Sequence, residues 1–151
     1  MIHYPRIELL QAAHQGVKKW NRAFLAIENL DHIEENRAYS IVDSLTYHKT
    51  TADRHSPDDL FVGHRRYFEV IIALDSNVTV ELAQKSDLTL HTPYSDLTDR
   101  EHFEGSGTSL TLAPGEALVT EIDEALRISK DAHAHIAVLR ITVEGASFHN
   151  K

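Results

Sequence analysis

The sequence predicts a mainly β fold: a single-domain antiparallel β-sandwich or jelly-roll-like barrel preceded by helices. Three observations carry this expectation. Helical patterning is confined to residues 1–30. From 36 to 145 the chain breaks into short runs rich in Val, Ile, Leu, Thr and Tyr, the texture of strands. Turn-forming clusters separate the runs: Asp75-Ser76-Asn77, Gly105-Ser106-Gly107 and Ala113-Pro114-Gly115. A parallel α/β sheet would need helices between the strands, and the pattern offers none. At 151 residues the chain, read as one domain over 1–151, is long enough to bury a core without metal or disulfide staples.

Taken in order, Ile7-Glu8-Leu9-Leu10-Gln11-Ala12-Ala13 is rich in helix formers, and Gly16 is a suitable stop. A second helix follows, because Val17, Trp20, Phe24 and Ile27 recur at steps of three and four and would lie against the core. Strands are expected at 38–42, 45–50, 67–74, 78–83, 88–92, 109–112, 117–121, 126–129 and 136–143. The polar, Pro-containing stretch 51–59 is expected to be the most mobile loop.

Composition excludes several classes of function. Fifteen basic residues against 23 acidic ones give a net charge of −8, which repels phosphate backbones. Arg65-Arg66 and Lys18-Lys19 are the longest basic clusters, so a nucleic-acid partner is not expected. Absence of cysteine removes thiolate nucleophiles, thiolate metal sites and disulfides. The start lacks the basic-then-apolar order of a secretory signal, and no apolar run reaches spanning length, so a cytoplasmic protein without a membrane partner is expected.

Chemistry concentrates at Gly63-His64-Arg65-Arg66-Tyr67-Phe68-Glu69, which feeds into the apolar run Val70-Ile71-Ile72-Ala73-Leu74. Strand alternation puts Tyr67, Glu69 and Ile71 on one face. His64 has the opposite parity, so it meets Glu69 only if the chain bends near Arg65-Arg66. A carboxylate among apolar strand residues needs a cation beside it, and Arg66 and Arg127 are the expected partners of Glu69. His133 and His135 have a spacing that can chelate a metal. Thr98-Asp99-Arg100-Glu101 reads as a set of local surface ion pairs. Glu69 and Glu81, taken to lie on neighbouring strands, are a carboxylate pair of the sort glycoside hydrolysis requires, although any acidic protein offers one. No Gly-x-Ser-x-Gly elbow and no strand-flanked phosphate loop occurs.

Several separated patches carry a resemblance. They are Gly16-Val17-Lys18-Lys19-Trp20, Ala26-Ile27-Glu28-Asn29, 40–47, the Gly63 stretch, Thr98-Asp99-Arg100-Glu101 and Phe148-His149-Asn150-Lys151. Together they resemble the YhcH/YjgK/YiaL family, small cupin-like proteins of bacterial sugar catabolism, and within it the small β subunits that accompany an evolved β-galactosidase. The resemblance implies a double-stranded β-helix with a site inside the barrel. His64 and Glu69 match the family's suspected divalent-metal positions, for zinc, copper or nickel, and also its candidate acid and base. Ile71 and Leu126 fall where further ligands would be, and neither can coordinate a cation. A sugar pocket is implied around His64, Arg66, Tyr67, Glu69, Glu81 and Arg127. Two functions follow from the resemblance. One is an accessory subunit that docks on a large β-galactosidase subunit, forming a homodimer when isolated. The other is a stand-alone sugar-binding or sugar-processing protein, isomerase- or mutarotase-like.

Overall fold

The computed structural model describes residues 1–41 and 45–143. The Val42-Asp43-Ser44 part of one resemblance patch, and the terminal Phe148-His149-Asn150-Lys151 patch, lie outside those residues. Two helices come first, α1 (Ile7–Ala13) and α2 (Lys18–Glu28), after a short strand β1 (Ile2–Tyr4). Then follow β2 (Tyr39–Ile41), β3 (Leu45–Thr51), β4 (Phe61–Gly63), β5 (Tyr67–Ala73), β6 (Val78–Gln84) and β7 (Thr89–Ser95). The remaining strands are β8 (Arg100–Glu104), β9 (Thr108–Leu112), β10 (Ala117–Thr120), β11 (Glu124–Ile128) and β12 (His135–Thr142).

The strands form two antiparallel sheets, ordered β1-β10-β5-β12-β3-β2 and β7-β8-β4-β11-β6-β9. Setting aside β1 and β2 and the β7–β8 hairpin, the chain alternates between sheets at almost every step. The four-strand cores β10-β5-β12-β3 and β4-β11-β6-β9 are the order of a jelly roll, two interleaved Greek keys. The hairpin extends the second sheet past β4. The mainly β sandwich with N-terminal helices is therefore the observed fold. Among the described residues, no helix is long and apolar enough to cross a membrane.

The first sheet is covered on both faces, which explains its near-continuous apolar strands. Val70, Ile72, Leu139 and Ile141 point outward and pack with Leu10, Trp20, Ala23 and Ala26 of the helices. Trp20 also stacks on His14, with ring centroids 3.8 Å apart. Thus Trp20 is a packing residue, as the helical stripe predicts. Ile71, Ala73, Leu118, Ile136 and Val138 point inward and meet Val80, Leu82, Leu112, Leu126 and Ile128 of the second sheet. At one end this filling turns polar. Glu69 on β5 stands beside Arg140 on β12 and Thr120 on β10, and His48 on β3 stands beside Val138.

Three expectations are corrected here. The stretch 51–59 is not a loose loop: β3 runs to Thr51, short 3-10 turns span Ala52–Arg54 and Pro57–Asp59, and Ala52, His55 and Ser56 are buried. His133 and His135 do not form a chelating pair. His135 opens β12 and contacts Asp75 and Glu35, whereas His133 is exposed in the preceding turn. Asp99 and Glu101 are buried rather than superficial, and their ion-pair partners are remote in sequence.

Candidate functional site

His64 follows β4 and precedes a two-residue bend, Arg65-Arg66, that leads into β5. That bend overcomes the parity mismatch between His64 and Glu69. Asp99, in the turn between β7 and β8, holds it from outside. Its carboxylate accepts the backbone N–H of Arg65 at 3.0 Å and of Arg66 at 3.1 Å, together with the Tyr94 hydroxyl. Asp99 itself has φ 53°, a left-handed conformation that Asp tolerates better than most residues. Its carbonyl oxygen accepts from His64 Nδ1 at 2.7 Å.

His55 arrives from the other side, in the turn after β3. Its Nε2 lies 3.0 Å from Glu69 Oε2, and its Nδ1 lies 2.8 Å from Ser56 Oγ. Ser56 Oγ in turn accepts the backbone N–H of Ile128 at 3.2 Å. His64 Nε2 stands 3.4 Å from the same Glu69 Oε2, an ion contact without a directed hydrogen bond. The three side chains are closed off from solvent, with Glu69 1%, His55 3% and His64 4% exposed.

Donor and acceptor chemistry fixes the proton positions. A carbonyl can only accept, so His64 Nδ1 carries a proton. The Glu69 carboxylate accepts, so His55 Nε2 carries one. In neutral His55, Nδ1 then accepts the Ser56 hydroxyl, and the backbone of Ile128, Ser56, His55 and Glu69 form one directed chain. A second proton on His64, at Nε2, makes its contact with Glu69 attractive. Burial alone would push the Glu69 carboxyl up, but the two imidazoles set against it, His55 and His64, outweigh burial and hold Glu69 well below the usual carboxylate range. Two polar atoms remain buried without a hydrogen-bond partner: Glu69 Oε1 and His64 Nε2. Orphaned buried atoms of this kind are costly and mark a place for a ligand.

The expected cations of Glu69 are elsewhere. Arg66 turns toward Asp99 and the Asp96 carbonyl, and its side chain is 45% exposed. Arg127 pairs with Glu81 at 2.7 Å, donates to the Asp59 carbonyl at 2.7 Å and lies over the Phe61 ring. Glu81 and Arg127 face each other across β6 and β11 on the side opposite Leu82 and Leu126, outside the sandwich. The predicted sugar pocket is therefore divided. His64 and Glu69 meet inside, Tyr67 shares their sheet face at the strand entrance, and Arg66, Glu81 and Arg127 lie apart. Nor do Glu69 and Glu81 sit on neighbouring strands, since β5 and β6 belong to different sheets.

Sequence reasoning missed His55, Ser56, His48, Arg100, His102 and Arg140. Arg140 carried a readable signal, a lone arginine inside the apolar run 136–141. Of the metal positions the resemblance implies, His64 and Glu69 come together inside the sandwich. Ile71 and Leu126 are buried in the apolar filling. Among the described residues, no group of three or more His, Asp or Glu is arranged to hold a metal ion.

No family model matches the chain. Solved structures do. A hydroquinone 1,2-dioxygenase from Sphingomonas sp. TTNP3 matches with a TM-score of 0.47 and 14% identity, over 76% of this chain and 70% of that one. A protein from Neisseria meningitidis matches with a TM-score of 0.43 and 15% identity, over 76% and 94%. A cupin protein from Bacteroides fragilis gives a TM-score of 0.29 and 16% identity, over 78% and 91%. At these identities no activity or residue role passes from them to this chain.

Proposed function

We propose that this chain binds a small reducing sugar inside the sandwich and interconverts its anomers or isomers by proton transfer at Glu69 and His64. One observation carries the reading: two histidine nitrogens converge on a single oxygen of a fully buried carboxylate whose other oxygen has no partner. Structural ion clusters satisfy both oxygens, whereas this one leaves an acceptor and an imidazole nitrogen for a ligand.

In anomer exchange, the anomeric hydroxyl gives its proton to Glu69 while His64 Nε2–H delivers a proton to the ring oxygen. The bond between the anomeric carbon and the ring oxygen breaks, leaving the open aldehyde. Ring closure on the other face returns both protons. The two transfers favour each other, because loss of the His64 proton removes part of what holds Glu69 ionised. His55 and Ser56 keep the Glu69 oxygen oriented throughout.

Exchange NMR of galactose anomers tests this. Wild type is expected to raise the exchange rate above buffer. His64→Gln and Glu69→Gln, each checked by a thermal melt, should lose on the order of 100-fold or more of that acceleration, as for removal of a general acid or base. Exchange no faster than in buffer, with a folded wild type, would overturn the reading.

The sequence resemblance, together with the separation of Glu69 from Glu81 onto different sheets, favours a second reading. Here the chain is an accessory subunit, and a large β-galactosidase subunit supplies the hydrolytic carboxylates. Co-purification with such a subunit, and a rise in its turnover on addition of this chain, would support it; turnover unchanged by saturating chain would reject it.

A further inference from the structure

The inner face around Glu69 holds more positive charge than its neighbours balance. Arg140 on β12 sits beside Glu69 in the first sheet. Arg100 and His102 on β8 share a face of the second sheet, and His102 pairs through Val62 with the inward-facing Leu126. Arg100 and Arg140 act on each other, and both act on His48, so the groups are close between the two sheets. Among the described residues, neither arginine's side chain makes a hydrogen bond or an ion pair. Arg140 Nε and His102 Nε2 are buried without a partner. The carboxylate in reach, Glu69, is engaged by His55 and His64.

Burial and then Arg140 hold Arg100 below its ordinary value. Burial, Arg140 and Arg100 press His48 down to about 4, against the pull of Glu69, so at neutral pH it adds no charge. Two guanidiniums thus lie on the face that holds one carboxylate, and His55 and His64 already answer that carboxylate. Folding tolerates such an arrangement poorly unless something else uses it.

We propose that Arg100 and Arg140 bind the carboxylate of an acidic sugar, a monoanion of the uronic-acid class, whose anomeric end lies at Glu69 and His64. The proposal rests on the reading that Glu69 and His64 act on a reducing sugar, and it names the substrate class for that site. The planar guanidinium matches a carboxylate in two parallel hydrogen bonds.

Calorimetry with galacturonate and galactose tests it, since the two differ only in a carboxylate replacing a hydroxymethyl group. Galacturonate is expected to bind wild type at least ~10-fold more tightly than galactose, the return on one charge-assisted contact. Arg140→Gln and Arg100→Gln, made separately so that one misfolded variant does not decide the matter, should each bring that preference down toward one. Equal affinity of wild type for the two sugars, or a preference surviving in both folded variants, would overturn the proposal. The two readings fail differently. Arginine-dependent galacturonate binding without accelerated anomer exchange keeps the anion site and removes the proton-transfer role. Accelerated galactose exchange without a galacturonate preference does the reverse.

Discussion

Glu69 shows how a charge survives inside an apolar strand. Its side chain is as buried as that of Ile71 beside it, yet two imidazoles in place of the expected arginine keep it ionised. Parity along β5 located the carboxylate correctly; what the sequence hid was the partner, because His55 lies fourteen positions earlier in a stretch that reads as polar loop. Glu69→Gln keeps the shape and removes the charge. We expect a stability loss of about 3 kcal/mol by urea unfolding, as for other broken buried ion pairs. His48 gives a pH signature. The unfolded chain takes up the His48 proton near pH 6.5, whereas the folded chain refuses it until about pH 4. Stability is therefore full above 6.5 and falls as pH drops through that window, by on the order of 2 kcal/mol for a partly exposed group. Glu69, held low, adds its own loss only further into acid. His14 and His102, also lowered by burial, slope the same way, so the difference between proteins is the readout. His48→Gln should flatten part of the decline between pH 6.5 and 4, while an identical pH profile in the variant would show that His48 carries none of it.

Among the elements, long regular ones were legible and short ones were not. The stripe of α2 and the apolar runs of β5 and β12 announced themselves through periodicity, because both faces or one whole face are buried. β4 has three residues and β8 has Phe103 as its one apolar residue, so neither rises above its surroundings in sequence. Yet these two carry His64, Arg100 and His102 to the site. Charged residues in β8 read as surface pairs because alternation does not reveal that Glu101 meets Arg65 and Lys85 across the sheet. The turn before β8 is the element on which the site depends. Asp99→Ala removes the acceptor of two backbone N–H groups and a tyrosine hydroxyl, and imposes a left-handed φ on alanine. A loss of roughly 2–4 kcal/mol is expected in chemical denaturation. Asp99→Asn, which tolerates that φ and keeps an acceptor, should lose less. Equal stability of all three proteins would show that the bend at Arg65-Arg66 holds itself.

At the scale of the whole molecule, one sandwich serves two purposes. Its filling is dry around Ile71, Leu126 and Val138, and polar at the end where Glu69, His55 and His64 meet. With Glu81 turned to the outer face, the purified chain should not hydrolyse a chromogenic galactoside, and turnover surviving removal of contaminating hydrolase would contradict that expectation. Whether a sugar occupies the polar end is read from the nitrogen NMR spectrum of the eleven histidines while galacturonate is added to the wild-type chain. The His64 Nε2 resonance is expected to move most, with His55 and His102 following, while that of exposed His133 stays in place. Saturating galacturonate that leaves the His55 and His64 nitrogens where they were would contradict that occupancy.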